Sequence, residues 1–135
     1  MSEHTNGLVR RYYDDVLNGR NLDAVGDYFA DERMVGGIRR GCFSYFVAFP
    51  DLHISLDELI EEDGSVFVRS TMTGTHDGEY KGIPPTGRQV AAESAEVYRV
   101  EGGRFVGYWC LANVAGLMRQ ITDEQVVGSA PALTT

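Results

Sequence analysis

Two strand-like runs of the chain are joined by one segment, Gly74-Thr75-His76-Asp77-Gly78-Glu79-Tyr80-Lys81-Gly82-Ile83-Pro84-Pro85-Thr86-Gly87-Arg88. Its glycines and prolines favour tight turns, and they set a lone histidine, His76, between the two runs. Before the segment, residues 53–69 alternate with a period of two, interrupted by the turn Glu62-Asp63-Gly64-Ser65. After it, residues 89–100 and 104–113 form two more strand-like runs. The second half of the chain is therefore predicted to be an antiparallel sheet.

The residues before Pro50 have helical spacing instead. Apolar side chains recur at helical intervals in residues 7–18, and Asn21 is a favourable N-cap for a short second helix. A third apolar stripe runs from Ile38 to Phe49, where Pro50 ends it. Helices followed by antiparallel strands indicate an α+β fold, in which a curled sheet packs on three N-terminal helices around an apolar cavity.

Length and composition predict one domain. Of 135 residues, 43% are hydrophobic, which is enough for a real core over residues 1–127. Residues 128–135 lack any pattern, and we expect a disordered tail there. The net charge of -8 repels phosphate backbones and anionic lipids, so neither nucleic acid nor a membrane is an expected partner. Residues 1–20 are too charged for a signal peptide or a membrane span, and we expect a cytoplasmic protein.

Cysteine and histidine usage gives no sign of a metal or a disulfide. Cys42 and Cys110 lie far apart and belong to no Cys-x-x-Cys pattern. The three histidines, His4, His53 and His76, have no spacing typical of metal ligands. We therefore expect reduced thiols and no metal.

The last hairpin collects the polar side chains that suit a binding pocket. If Glu101-Gly102-Gly103 is a three-residue loop, Glu96 pairs with Tyr108 and Ser94 with Cys110. One face then carries a carboxylate, two phenols, a thiol and small residues: Ala92, Ser94, Glu96, Tyr98, Val106, Tyr108, Cys110 and Ala112. The opposite face is apolar: Ala95, Val97, Phe105, Trp109 and Leu111. We expect a second copy of the chain to cover that face in a homodimer. A two-residue turn would instead set Glu96 opposite Trp109 and change both faces.

The sequence leaves two interpretations open for each reactive side chain. Glu96 is either an exposed carboxylate, paired with Arg69 or Arg99, or a pocket acid or base whose pKa is raised by burial. Cys110 is either a small buried side chain or a nucleophile, although no histidine is placed to activate it. His76 either shapes its loop or donates at the pocket rim.

The tyrosines also allow two interpretations. The pairs Tyr12-Tyr13 and Tyr98/Tyr108 fit a core in which their hydroxyl groups are anchored. Any of these four phenols can instead bond a polyphenolic ligand. Which function they serve depends on the register of the last hairpin.

Three stretches carry a resemblance to the SnoaL-like polyketide cyclases: the segment quoted above, Phe49-Pro50-Asp51-Leu52 before it, and Leu117-Met118-Arg119-Gln120-Ile121 after the last strand. The likeness runs from the first helix to Gln120 and is most specific in the pattern Gly-Thr-His…Gly…Pro-Pro-Thr-Gly. It implies a conical α+β barrel, similar to nuclear transport factor 2 and ketosteroid isomerase. It also implies tailoring of aromatic polyketides without a cofactor.

Family cyclases close a ring by intramolecular aldol condensation. They use an aspartate on the last strand as acid/base and often a histidine on the preceding strand to help hold the enolate. By the resemblance, this chain has Cys110 at the aspartate position, Glu96 at the histidine position and Asn113 at a further position that is commonly acidic. A thiol with an ordinary pKa of about 8.5 does not replace a carboxylate near neutrality, so Glu96 would have to transfer the proton.

The retained polar residues fit another reaction of divergent relatives, which are described as hydroxylating an anthracycline-type ring without metal or flavin. We therefore predict a cofactor-free hydroxylase of a polycyclic intermediate, with a separate reductase as a candidate partner that supplies the reduced form of this intermediate. Glu96 and Cys110 are the predicted catalytic residues. The predicted substrate-binding residues are Tyr98, Tyr108, Asn113, His76, Ser94 and Tyr12. The alternatives are a ring-closing cyclase with Glu96 as base and a non-catalytic binding protein for an apolar polycyclic ligand.

Overall fold

A computed structural model describes residues 2–122 and confirms the α+β architecture. The predicted tail at 128–135 and the predicted domain boundary at residue 127 lie outside the described residues. Helices and short helical turns come first: α1 (Ser2–Tyr12), a π-helical turn (Tyr13–Leu17), a 3-10 turn (Leu22–Ala24), α2 (Val25–Tyr28) and α3 (Glu32–Ala48). No helix in the described part is long and apolar enough to cross a membrane.

The helix ends differ from the prediction in one detail. Asn21 lies at the N-cap position of the 3-10 turn as predicted, but its side chain makes no capping hydrogen bond and donates to the Oδ1 atom of Asp15 at 2.9 Å. The start of α3 is capped instead by Asp31, whose carboxylate accepts from the backbone N–H of Arg33 at 2.8 Å. α3 ends at Ala48, just before Pro50, as the sequence predicts.

Four antiparallel strands follow in the order in which they occur in the chain: β1 (His53–Glu62), β2 (Ser65–Thr75), β3 (Gln89–Glu101) and β4 (Arg104–Ala112). Irregularities in the register of β1 and β4 help the sheet to curl. A last helix, α4 (Val114–Thr122), was not predicted from the sequence. The curled sheet and the helices form the conical α+β barrel.

The segment between β2 and β3 is attached to the C-terminal end of α3. The backbone N–H groups of Asp77 and Gly78 both donate to the carbonyl of Ala48, each at 3.1 Å. The approach is so close that a Cβ atom at Gly78 would collide with the carbonyl oxygen of Val47. Glycine is therefore required at this position for a steric reason.

The core consists of two apolar clusters. The first surrounds Tyr12, whose ring makes edge-to-face contacts with neighbouring aromatic rings, including Phe29 and Phe105. The second gathers around Phe49 where α3, the sheet and α4 meet, and includes Leu117. Side chains from both clusters line a cavity between them.

Candidate active site

The turn between β3 and β4 sets the register of the last hairpin. Gly102 and Gly103 both have a left-handed backbone, with φ of 61° and 79°, and the loop has two residues rather than three. One extra residue on β4, Val106, bulges out of the ladder and shifts the pairing by one further position. Glu96 consequently stands opposite Cys110.

The predicted pairs Glu96–Tyr108 and Ser94–Cys110 are therefore wrong by two positions. The observed partners are Cys110 for Glu96 and Ala112 for Ser94. Because side chains alternate with a period of two, an even error leaves all of these residues on the predicted face.

The bulge does exchange two neighbouring residues between the faces. Phe105, expected on the outer face, is buried in the core, whereas Val106, expected in the pocket, is exposed. Farther along β4 the outer face is as predicted, with Trp109 52% and Leu111 64% exposed.

A cavity of about 260 Å³ lies between the sheet, α1, α3 and α4, and its wall is mainly apolar. Side chains such as Ile38, Met72 and Leu117 supply that apolar surface. All the predicted site residues except His76 line it: Tyr12, Ser94, Glu96, Tyr98, Tyr108, Cys110 and Asn113. Among the residues that the structure describes, no arginine, lysine or histidine belongs to this lining.

Glu96 is the buried carboxyl group of this cavity, with 6% of the residue exposed. Its Oε1 atom accepts from the hydroxyl groups of Tyr13 at 3.1 Å and Ser70 at 3.2 Å, and its Oε2 atom lies 3.8 Å from the Sγ atom of Cys110. Burial raises the pKa of Glu96, and hydrogen bonds from Tyr13, Ser94, Ser70 and Cys110 lower it in part. A carboxyl group with a raised pKa can act as acid and as base.

Tyr13 and Ser70 are the members of this network that we did not select from the sequence. Ser70 is a single serine within an alternating strand, and nothing in the sequence links it to Glu96, 26 residues farther along the chain. In the sequence Tyr13 is one half of a tyrosine pair, and only the other half, Tyr12, is among the predicted substrate-binding residues. Both tyrosines are buried and line the cavity, but only Tyr13 bonds the Glu96 carboxylate.

Cys110 lines the cavity as a neutral thiol, but the residue as a whole is exposed, so it is not the small buried side chain that the sequence allowed. Partial burial raises the pKa of its thiol, and the nearby carboxylate of Glu96 raises it further, while a hydrogen bond with Tyr108 lowers it in part. With no histidine in the described lining, no side chain is placed to form a reactive thiolate. The group is therefore a weak hydrogen-bond donor to Glu96 rather than an activated nucleophile.

Two of the predicted substrate-binding residues also have a structural role. The Oδ1 atom of Asn113 accepts from the backbone N–H of Gly116 at 2.9 Å, at the start of α4. The ring of Tyr108 packs against that of Tyr98, with the centroids 5.1 Å apart. Burial is the main cause that raises the pKa of both phenols, so each is a neutral hydroxyl group at the cavity wall.

The structure does not place His76 at the cavity. The residue is fully buried, its ring packs against Phe49, and its Nδ1 atom accepts from the backbone N–H of Thr86 at 3.2 Å. Its backbone closes the same segment, because the His76 carbonyl accepts from Gly87 and its N–H donates to the carbonyl of Arg88. The expectation of a position near the entrance is corrected: His76 shapes the loop, which is the other interpretation that the sequence allowed.

No group of three histidine, cysteine, aspartate or glutamate side chains converges as a metal site within residues 2–122. What the arrangement offers is a carboxyl group that can exchange a proton, neutral phenol and thiol donors around it, and an apolar volume for a ligand. Such a site can remove and return a proton on a bound apolar molecule.

The comparisons with known proteins agree with this fold. The family model described as SnoaL-like polyketide cyclase matches residues 7–121. This chain therefore belongs to the SnoaL-like polyketide cyclase family, with the fold shared by nuclear transport factor 2 and its relatives. No curated protein matches the chain at a significant level.

Solved structures similar to this chain share its fold at low sequence identity. TsrD from Streptomyces laurentii has a TM-score of 0.80 at 23% identity, over 90% of this chain and 97% of that one. AclR, a proposed hydroxylase from Streptomyces galilaeus, has a TM-score of 0.79 at 23% identity, over 98% of this chain and 87% of that one. A SnoaL-like polyketide cyclase from Agrobacterium tumefaciens has a TM-score of 0.72 at 22% identity, over 86% and 96%.

Proposed function

We propose that this protein is a tailoring enzyme of aromatic polyketide antibiotic biosynthesis, which hydroxylates a polycyclic, anthracycline-type intermediate without a cofactor. One observation carries the proposal: a buried carboxyl group, Glu96, lies in an apolar cavity beside a neutral thiol, Cys110. The chemistry of the site thus differs from that of family cyclases, which the resemblance gives a carboxylate at the position of Cys110. The similarity of fold to AclR supports the same reaction class.

The cavity suits an apolar, planar ligand. Its volume of about 260 Å³ is close to the lower end of small-molecule sites, which begin at about 300 Å³. Apolar side chains make up most of the wall, and Glu96 is the buried carboxyl group in it. A mainly apolar wall with one buried carboxyl group favours a fused-ring ligand that presents a hydroxyl group to Glu96.

The substrate we propose is the reduced, hydroquinone form of the ring system. Glu96 removes a proton from its hydroxyl group, and the resulting electron-rich anion forms a carbon–oxygen bond with molecular oxygen. The peroxide then takes a proton, its oxygen–oxygen bond breaks as the hydrogen on the same carbon leaves as a proton, and the second oxygen departs as water. Hydroquinone and oxygen thus give hydroxyquinone and water, with all the electrons supplied by the substrate.

The protein residues have limited roles in this scheme. Glu96 accepts the first proton and returns one to the peroxide or to the departing oxygen, for which a pKa raised by burial is suitable. Tyr108 is a neutral donor that can stabilise the substrate oxyanion, and Tyr98 can do so once Glu96 is protonated, because Tyr13 can then donate to Tyr98 instead of accepting from it. A separate reductase supplies the hydroquinone, and the apolar wall limits competing reactions with water.

Product analysis tests the proposal directly. The protein is incubated with a chemically reduced anthraquinone-type intermediate under isotopically labelled oxygen gas, and the products are weighed by mass spectrometry. Hydroxylation predicts one labelled oxygen atom in the product, formed faster than in protein-free solution. Glu96→Gln should lower that rate by about a hundredfold or more while ligand binding is retained. Failure of the wild-type protein to accelerate oxygen incorporation would disprove the proposal.

The second candidate is a ring-closing cyclase with Glu96 as the base, which the family match favours. It predicts a product that has lost water and contains no labelled oxygen. Glu96→Gln slows both reactions, so the mass of the product distinguishes them and the variant does not. If the protein is instead a non-catalytic binder, the ligand binds tightly, Glu96→Gln leaves the affinity unchanged and no product forms.

A further inference from the structure

Tyr13 has hydrogen bonds that core packing alone does not explain. Its hydroxyl oxygen lies 3.1 Å from the Oε1 atom of Glu96 and 2.9 Å from the hydroxyl oxygen of Tyr98, and all three residues are buried. A phenol has one proton, so when Tyr13 donates to the carboxylate its oxygen can only accept from Tyr98. Tyr98 therefore donates to Tyr13, and Tyr13 donates to the ionised carboxyl group of Glu96.

The backbone that carries Tyr13 is fixed independently of this chain. The helix widens into its π-helical turn at this residue, and the N–H of Asn18 donates to the carbonyl of Tyr13 at 2.8 Å. The Asn18 side chain then pairs with the backbone of Ile54 on β1, donating at 2.9 Å and accepting at 2.7 Å. Single π-helical turns are frequent at functional sites, and this one attaches the backbone of Tyr13 to the sheet.

The geometry points to Tyr13 as a positioning residue of the site, which holds the Glu96 carboxyl group in place and couples it to Tyr98 at the cavity wall. Both ends of Tyr13 are constrained, its backbone through Asn18 and its hydroxyl group through two buried partners. The part of this inference that concerns catalysis rests on the proposed function, whereas the positioning of Glu96 requires no substrate.

Neighbouring charges have little influence on the Glu96 carboxyl group. One phenol of the lining, Tyr45, lies on α3. The other phenols and thiols that line the cavity come from α1 and the π-helical turn, α3, β3 and β4: Tyr12, Tyr13, Cys42, Tyr98, Tyr108 and Cys110. Burial raises the pKa of each, so all are neutral while Glu96 titrates. β2 contributes Ser70, which does not titrate, and the remaining carboxyl group of the lining, Glu93, is exposed. Burial is therefore the main cause that raises the pKa of Glu96, hydrogen bonds to the ionised form lower it in part, and removal of the Tyr13 bond raises it further.

NMR of the glutamate carboxyl carbons in the substrate-free protein tests this inference. Tyr13→Phe should shift the titration of Glu96 to higher pH, with the fold checked by circular dichroism. The matched control is Tyr28→Phe, which removes a phenol hydroxyl from the same aromatic cluster. The hydroxyl group of Tyr28 donates to the Oδ2 atom of Asp15 at 3.0 Å and does not line the cavity, so Glu96 should titrate as in wild type.

An unchanged titration of Glu96 in folded Tyr13→Phe overturns the inference. If that variant does not fold, Tyr98→Phe replaces it: loss of the donor to Tyr13 weakens the bond from Tyr13 to Glu96, so a smaller shift in the same direction is expected and its absence overturns the inference. Because no substrate is present, a wild-type protein without turnover contradicts the proposed function and leaves this result intact. Where turnover is measured, Tyr13→Phe should move the limb of the kcat pH profile assigned to Glu96 and change KM little.

Discussion

Glu96 and Cys110 stand directly opposite each other on β3 and β4, with the thiol sulfur 3.8 Å from the Oε2 atom of the carboxylate. Family cyclases, by the resemblance, keep a histidine and an aspartate at these two positions. In this chain burial is the main cause that raises the pKa of both the Glu96 carboxyl group and the Cys110 thiol. For the carboxyl group this moves the pKa toward neutrality, whereas the thiol, with its higher ordinary pKa, stays protonated. The predictions below concern this pair, its cavity and the surfaces around it.

Cys110→Ser should retain most of the turnover, because a hydroxyl group can replace the thiol as a neutral donor to Glu96. If Cys110 were a covalent nucleophile, the same change would cost on the order of a hundredfold or more in kcat. Steady-state kinetics with the hydroquinone that we propose as substrate distinguishes the two. Cys110→Asp is the informative companion variant. With a second carboxyl group beside Glu96, the first ionisation makes the second one harder, so the higher of the two pKa values should rise, as measured by NMR of the carboxyl carbons.

Glu96→Gln should change how stability depends on pH. The folded-state pKa of Glu96 is raised, so the native protein binds this proton more tightly than the unfolded chain does. The contribution of Glu96 to stability is therefore fully present below the unfolded-state pKa and is lost as the pH rises through the folded-state pKa. Thermal unfolding should show that the Tm of Glu96→Gln, relative to wild type, is higher at neutral pH than at acid pH. A difference in Tm that does not vary with pH would contradict the prediction.

The cavity should discriminate against anionic ligands. Its described lining contains carboxyl groups but no arginine, lysine or histidine to neutralise a bound carboxylate. A polycyclic ligand with a carboxylate should therefore bind more weakly than its carboxamide analogue, by on the order of tenfold or more, measured by isothermal titration calorimetry. Glu96→Gln should reduce that difference, and equal affinities of the two ligands for wild type would contradict the prediction.

We infer that the outer face of the sheet pairs two copies of the chain. Trp109 and Leu111 on β4 and Ile60 on β1 are all more than half exposed, which is unusual for large apolar side chains on a monomer. Light scattering after size-exclusion chromatography should give the mass of a dimer for wild type. Leu111→Lys should give a monomer, and Phe43→Lys, at an exposed site on α3, should remain dimeric. A monomeric wild-type protein would contradict this inference.

Gly78→Ala should destabilise the fold, because the added methyl group collides with the carbonyl of Val47 at the end of α3. The expected loss in the free energy of unfolding is about 2 kcal/mol or more, measured by urea denaturation. Gly26→Ala is the matched control: a Cβ atom there meets nothing within 4 Å, and alanine favours the helix. A Gly78→Ala protein as stable as the control would show that the segment moves aside at little cost.

Much of the fold could be predicted because local patterns determine it. The spacing of apolar residues changes from helical to alternating near Pro50, where the structure passes from α3 to β1. The Asp63-Gly64 turn likewise lies where β1 turns into β2. The last helix was missed because Leu117 and its neighbours were read as part of a family motif and not for their helical spacing. The predicted register of β3 and β4 was wrong by two positions, because the Gly102-Gly103 loop is one residue shorter than predicted and because the bulge at Val106 has no distinctive sequence.

The candidate site was predictable only on the strands. Alternation placed Ser94, Glu96 and Cys110 on one face, and an even error of register could not remove them from it. The partners from other elements were missed, because Tyr13 is brought to Glu96 by a π-helical turn and Ser70 by strand pairing. Neither contact leaves a pattern within the local sequence. His76 was assigned to the rim for the opposite reason: a polar residue in a loop suggests function, although here it fills the interior.

The bulge at Val106 decides which side chains of β4 face the cavity, so this strand is sensitive to a change in its length. Deleting one residue there would turn every side chain beyond it through half a rotation, so Trp109 and Leu111 would enter the interior while Cys110 would leave it. One deletion would thereby fill the cavity with the Trp109 and Leu111 side chains and remove the Cys110 thiol from its wall. A point substitution changes one group of the cavity at a time, whereas a single insertion or deletion in this strand would displace several of its groups together.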